Sequence, residues 1–456
     1  MAETFSGVMA FSFMALMIWI GAILRKNVSF LQESLLRASI IGGIIGFFLI
    51  SLDFSFSQTG ENFVGFAFHF FTLSFMSLAL TGSRQKEAHN NNGTRKGTGA
   101  LWLSVGWTVS LAMQGLVGLL CVSLYNFFAQ QTLSPSLGVL VTHGFTQGPG
   151  QAIAMASIWE SQFYINNAIS FGLVYASIGF IVAFIVGIPV AKWALRKGIN
   201  ENKNARLSKN FLTGFYERDN RPISGFQITH SSNVDNLVYH LGLLGFAYLA
   251  TNMMLVQVQE AVAGYILLGL PVEVLFSHNL FFVHGLIVCL LIRTLINYFK
   301  LDYLVDEDTQ KHITSSSVDL MIVATLMSIQ ITFLWNFMLP IMLICSSVVV
   351  ATAILCFGFG RMLPRLGIER SIALFGCCTG STGSGLLLLR VVDPDLSTSV
   401  SRELAYFNVL IIFLSIHILM FVAPLTPSLE LIKLVAIYGL TVVFGGALFW
   451  RLSSHT

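Results

Sequence analysis

Eleven stretches of this sequence are nearly free of charge and approach or exceed the ~20 apolar residues that carry a helix across a bilayer. They fall at about 6–24, 36–52, 62–82, 101–128, 167–192, 237–257, 279–299, 317–337, 339–360, 404–423 and 431–450. Composition agrees, since only 10% of the 456 residues are charged, against roughly 25% in soluble domains. A soluble enzyme is thereby excluded, and a mean hydropathy of +0.76 excludes disorder. The chain reads as an all-α polytopic membrane protein whose first partner is the lipid bilayer. No cleavable signal peptide is expected, because the first run is long enough to span and no basic residue precedes it. The six cysteines lie in apolar stretches, and the adjacent Cys377-Cys378 have no metal-ligand spacing.

Two further stretches cannot be plain spans. Residues 136–160 and 371–391 each hold a short apolar arm, a centre rich in Gly, Ser, Thr, Gln or Pro, and a second apolar arm. Such Gly and Pro density will not hold one continuous helix. Backbone freed at membrane depth survives only inside protein or along a wet cavity. Both are therefore read as re-entrant hairpins that enter and leave on one side. The segment 258–276 is apolar but contains Gln259, Glu260, Pro271 and Glu273, and reads as an extension or interfacial piece.

Charge placement tests this layout. With the N-terminus outside and neither hairpin crossing, the loops 25–37, 83–100, 192–236, 293–316 and 361–403, plus Arg451, all face the cytoplasm. Of the 25 Lys and Arg residues, only Lys433 is then left outside. The positive-inside rule thus supports a multi-pass protein of the inner (cytoplasmic) membrane with its N-terminus outside. A net charge of +3 becomes orientation information and gives no reason to expect a nucleic-acid partner.

The parts recur in one order. Residues 1–192 hold four spans, a hairpin and a fifth span; 193–236 form a cytoplasmic loop; 237–425 repeat the same order. Five being odd, the second repeat is expected to lie inverted. Residues 426–456 add a C-terminal helix. Broken segments at matching positions of inverted halves point to a transporter's binding site, although Gly-rich breaks also serve tight helix packing.

The first tip reads Thr146-Gln147-Gly148-Pro149-Gly150-Gln151 and the second Thr379-Gly380-Ser381-Thr382-Gly383-Ser384-Gly385. Half-helix N-termini there suit a substrate carboxylate. The oxygens of Thr146, Gln147, Ser381, Thr382 and Ser384 suit sodium. Neither tip has a carboxylate, so the site would be built of neutral groups. Arg390 closes the second hairpin, either as a substrate contact or as an interfacial anchor paired with Asp393. Asp319 reads as an N-terminal helix residue at the inner face, and His143 as either a proton carrier or a hydrogen-bonded imidazole. Asn408, Asn166, Asn167 and Gln114 either complete a polar site or link helices. His69, His284 and His417 read as packing residues.

This order of parts resembles the bacterial sodium/glutamate symporters. The likeness is closest at Ala112-Met113-Gln114-Gly115-Leu116-Val117-Gly118, in the first hairpin, and at Thr382-Gly383-Ser384. In architecture it covers most of residues 1–425; in motif it covers only the hairpin regions. Family members carry a Gly-Gly-His-Gly-Thr type run in the first loop, where this chain has Gln147-Gly148-Pro149-Gly150-Gln151. The resemblance implies a homodimer in which a mobile part carries glutamate and sodium past a fixed scaffold, by an elevator-type mechanism. Bacterial 2-hydroxycarboxylate transporters share the general arrangement, which leaves citrate or malate as competing substrates.

Other classes find less support. The sequence lacks the P-loop of ATP-driven pumps, and lacks the H-E-x-x-H and G-x-S-x-G motifs of enzymes. A receptor or channel should repeat polar residues along its spans, whereas here they gather at two breaks. No cofactor is expected beyond a coupling ion, sodium or a proton.

Overall fold

The computed structural model describes residues 2–54, 58–81, 93–203, 205, 207–219, 221–222, 225–267 and 270–455. Most of the basic loop expected at 83–100, including Arg84 and Lys86, lies outside the described residues. The described chain is almost entirely helical. In order, its helices are α1 (Ala2–Asn27), α2 (Ser29–Ser34), α3 (Ala38–Ser51), α4 (Glu61–Thr81), α5 (Gly93–Ala129), α6 (Pro135–Thr142), α7 (Pro149–Phe163) and α8 (Ala168–Lys197). After the polar loop and the short α9 (Lys209–Thr213) come α10 (Asn236–Val262), α11 (Phe281–Tyr298), α12 (Glu307–Met327) and α13 (Ile331–Gly360). Last are α14 (Gly367–Thr379), α15 (Thr382–Val392), α16 (Val400–Ile416) and α17 (Leu431–His455). Between α10 and α11 the chain makes only a two-residue antiparallel ladder, Ile266–Leu267 with Leu270–Pro271, and short 3₁₀ turns.

Among the described residues, nine helical segments are long and apolar enough to cross a membrane. Two of the eleven expected spans are not among them. α3 has 14 residues, about 21 Å at 1.5 Å per residue. The runs expected at 317–337 and 339–360 are divided elsewhere: α12 covers 307–327 and α13 covers 331–360. Pro340, two residues into the second of those runs, only bends α13, with Phe337 out of helical geometry three residues earlier (φ −114°, ψ 17°). The real interruption is Ser328-Ile329-Gln330, which carries neither Gly nor Pro. Asp319 consequently lies well inside α12 and not at its start.

The helices pack as two groups. In one, α4 lies along α12, flanked by α1, α3, α10 and α11. In the other, α5 is central and contacts α6, α13, α16 and α17, while α8 gathers α7, α14 and α15. Contacts between the groups are sparser and run through α4 with α7 and α8 with α12. α17 joins the second group through one face: Phe449 sits between the rings of Trp102 (4.8 Å) and Phe359 (4.6 Å), and Trp102 Nε1 donates to Ser453 Oγ at 2.8 Å. Gly106 and Gly115 of α5 leave the room that Phe449 and Tyr438 occupy.

Candidate functional site

Both Gly-rich centres are breaks between two short helices. The first arm α6 ends in a widened π-type turn over His143–Gln147, and Gly148 then turns the chain into α7. Gly148 has φ +87° and ψ −177°, a conformation essentially restricted to glycine. Pro149 follows as the first residue of α7, where its missing N–H costs no hydrogen bond. In the second unit α14 ends at Thr379, and Gly380 and Ser381 form the break. Ser381 then caps α15, accepting from the Ser384 N–H at 3.4 Å. The arms α14 and α15 touch backbone to backbone. A Cβ on Gly376 would lie 2.7 Å from Gly385 Cα, and one on Gly385 would lie 2.5 Å from Cys377 Sγ.

The fold brings the two breaks together. A Cβ on Gly148 would lie 3.6 Å from the Gly380 carbonyl oxygen. Phe180 of α8 borders both, and Gly179 beside it is bare, so the Thr379 carbonyl can approach: a Cβ there would be 2.4 Å from that oxygen. Helix ends leave carbonyls without intrahelical partners, and one of these is met by Gln114 of α5. Its Nε2 donates to the Cys378 carbonyl at 2.9 Å and also contacts Thr352 Oγ1 at 2.9 Å, tying α5, α13 and α14 together. Gln114 thus links helices at the second break.

The other site candidates are placed as follows. Thr146 is buried, its hydroxyl donating to the Thr142 carbonyl beside Thr142 Oγ1. Gln147 Oε1 meets His143 Nδ1 at 2.8 Å, while Gln147 Nε2 and His143 Nε2 are buried without a hydrogen-bond partner among the described residues. His143 is therefore a fully buried, hydrogen-bonded partner of a tip residue. Gly150 and Gln151 are buried in the first turn of α7, and Gly150 is pressed against the Phe71 ring of α4. Ser381, Thr382 and Gly383 are only part-buried, so the second tip is not sealed by the fold. Thr382 Oγ1 donates to Asn408 Oδ1 of α16 at 2.8 Å, which puts Asn408 with the second tip. Ser384 is buried behind it.

Several expectations are corrected. Arg390 is exposed at the far end of α15, about 10 Å along the helix from Gly383. Asp393 is not its partner: it accepts from Asn202 Nδ2 (3.0 Å), Ser397 Oγ (2.9 Å) and Thr398 Oγ1 (2.7 Å). Asn166 and Asn167 are exposed in the turn between α7 and α8, away from the breaks. His69, His284 and His417 bond to Tyr248, the Leu280 carbonyl and Thr441, as packing residues would.

Two charged pairs near the second unit were not anticipated. Arg37, which precedes α3, holds Asp319 of α12 at 3.0 Å, and its Nη1 would lie 3.8 Å from a Cβ on Gly383. Arg370 of α14 and Glu403 of α16 form a buried bidentate pair, both bonds 2.8 Å, with side chains 6% and 2% exposed. Asp319 inside an apolar run and Glu403 in the first turn after a Gly-rich unit were the available signals.

The arrangement offers backbone carbonyls, hydroxyls and helix ends at a meeting of two breaks, with Arg37 facing the second tip. Comparison with curated proteins returns no match. A family model described as sodium/glutamate symporter matches residues 4–386, from α1 into α15, and the chain belongs to that family of membrane transporters.

Proposed function

We propose that this protein carries L-glutamate inward across the cytoplasmic membrane together with sodium, by elevator-type alternating access. The observation that carries the reading is the meeting of the two breaks, Gly148 against the Gly380 carbonyl, within a chain of a sodium/glutamate symporter family. Sodium would be held by neutral oxygens of Thr146, Gln147, Ser381, Thr382 and Ser384, and by carbonyls freed at the breaks. A carboxylate of glutamate would lie at the second tip, beside Thr382 and Gly383. Asn408 would position Thr382, and Gly148, Pro149, Gly150 and Gln151 would shape the opposing tip. Thr379 and Gly380 would contribute backbone oxygen. Arg390, exposed and remote, would act as an interfacial anchor.

On this reading the two units are re-entrant hairpins in inverted repeats, 1–192 and 237–425. Packing supports it, because contacts recur with the halves exchanged: α3 with α12 and α11 with α4; α5 with α6 and α13 with α14. The group around α5 and α8 would be the mobile part and the group around α4 and α12 the scaffold, in a homodimer with its N-terminus outside. Alternating access then needs only sliding along the sparse contacts between the groups.

A second reading, transport of a citrate- or malate-like anion, is favoured by Pro149 and Gln151 standing where the family run has His and Thr. Both are tested by reconstituting the protein in liposomes and measuring uptake of labelled glutamate, citrate and malate, with and without an inward sodium gradient. Glutamate uptake that follows the gradient is expected. Uptake indifferent to sodium, or preference for citrate or malate, would overturn the first reading.

A further inference from the structure

Arg37 stands opposite the second tip on the other group of helices. It precedes α3, and its guanidinium reaches Asp319 through Nη2 alone, at 3.0 and 3.1 Å to the two carboxylate oxygens. Asp319 is fixed from a second side by Ser39 Oγ at 2.7 Å. This is an end-on pair, and an arginine can use its remaining donors for a second carboxylate. The free edge is turned towards the tip, since Nη1 would be 3.8 Å from a Cβ on Gly383, and Ser381 Oγ 3.5 Å from the same point. Glycine at 383 keeps that space clear. The side chains of Arg37 and Asp319 are 21% and 34% exposed, so the pair, like the tip, is not sealed.

The local charge is unbalanced. Arg25 lies near enough to Arg37 for the guanidiniums to repel, yet Arg25 spends its own donors on the Phe211 and Leu212 carbonyls. Asp319 is the carboxylate that Arg37 pairs with, and Arg25 adds a second positive charge nearby. Such a place favours a further anion, and among part-buried groups that preference is stronger than in water.

We infer that Arg37 is a substrate-recognition residue: its free edge takes a carboxylate of the transported anion opposite Ser381-Thr382-Gly383, while Asp319 holds the guanidinium in place and competes for it. This rests on the carrier reading above, and adds a contact contributed by the opposite helix group. A carboxylate bridging Arg37 and the tip would join the two groups whenever substrate is bound at this level.

The test uses the full chain in proteoliposomes, with glutamate, aspartate, citrate and malate as labelled substrates and glutamine as competitor. Arg37→Gln is expected to raise the half-saturating concentration of the carried anion about tenfold to a hundredfold. It should also weaken discrimination of glutamate over glutamine, and Arg37→Lys should fall between. Asp319→Asn, which keeps the shape but removes the competing charge, is expected to lower the half-saturating concentration. If Arg37→Gln fails to insert, that second variant decides alone, and an unchanged or raised value overturns the assignment. Equal losses of maximal rate in Arg37→Gln and Asp319→Asn, with half-saturation unchanged, would make the pair a brace and refute recognition. If citrate or malate is carried in place of glutamate, the substrate reading fails while the Arg37 assignment is scored on that anion. A wild-type protein carrying none of the four refutes both.

Discussion

The contact between Gly150 and Phe71 gives the sharpest test of whether the two helix groups move past one another. Gly150 belongs to the first turn of α7 and Phe71 to α4. A Cβ on Gly150 would lie 1.9 Å from Phe71 Cγ and 2.0 Å from Cδ1, so ordinary contact would need a shift of well over 1 Å. Phe71 has little room to give, since it is buried and packs on Phe75 at 4.6 Å and Phe282 at 5.1 Å between ring centroids. Overpacking of this kind costs about 1–3 kcal/mol. If α7 slides past α4 during transport, the penalty falls on this arrangement and is relieved in the other. One tenfold change per 1.36 kcal/mol then makes the population shift about 5- to 150-fold. We therefore expect Gly150→Ala to slow uptake strongly without reducing the amount of inserted protein. Trimming the ring with Phe71→Leu in the same chain should restore a large part of the rate, a coupling that a double-mutant cycle reads directly. Labelled uptake in proteoliposomes is the assay, with thermal unfolding in detergent as the control. Wild-type uptake in Gly150→Ala, or no rescue by Phe71→Leu, would refute the idea that this contact resists sliding.

Three further outcomes follow from the same geometry. Gly148→Ala should cost about 1–3 kcal/mol of strain at φ +87°, lowering the unfolding temperature and abolishing uptake; retention of both would show that the break tolerates a side chain. Arg370→Met leaves Glu403 buried without its partner and should destabilise the fold by about 3–5 kcal/mol, read as a drop in thermal stability that Arg370→Met with Glu403→Leu partly restores. Burial raises the Asp393 carboxyl, but hydrogen bonds from the Thr398 backbone and hydroxyl, Asn202 and Ser397 outweigh it and hold its pKa below the ordinary value. A lowered folded pKa contributes stability above the unfolded value, near 3.9, and loses it as pH falls further. Asp393→Asn should therefore be less stable than wild type at neutral pH, and the gap should close in acid below about pH 4; a gap independent of pH would refute the ionic contribution.

How far the sequence spoke for the fold depended on which kind of signal each boundary carries. Spans announce themselves by uninterrupted apolarity, and the two broken units by Gly and Pro at a density no helix tolerates. The α12–α13 boundary lacked both signals. Ser328-Ile329-Gln330 is an ordinary short polar interruption, whereas Pro340 is an obvious breaker that the surrounding apolar packing absorbs as a bend. The ten residues before 317 were hidden for the opposite reason. Glu307, Asp308 and Lys311 are too charged for a span, yet they form the first turns of a helix that Asp306 caps by accepting from the Thr309 N–H. Apolarity measures the hydrocarbon-facing part of a helix, and α12 extends beyond that part.

For the site, sequence reasoning named the tip residues but not what faces them. Residues within one break are neighbours in the chain, so Thr382, Gly383 and Ser384 could be grouped on sight. Arg37 is separated from both Asp319 and the tip by most of the chain, Asp319 lies some sixty residues before the tip, and each by itself reads as a charge at a membrane interface. Arg390 is the converse case: close in sequence to the second tip, it is carried away from the break by a helix of 1.5 Å rise per residue. Contacts distant in sequence also place the C-terminal helix. α17 lies outside the 4–386 span matched by the family, yet Tyr438, Phe449 and Ser453 seat it on α5, in the group that holds both breaks. If the group around α5 and α8 moves as proposed, a helix seated on α5 is carried with it.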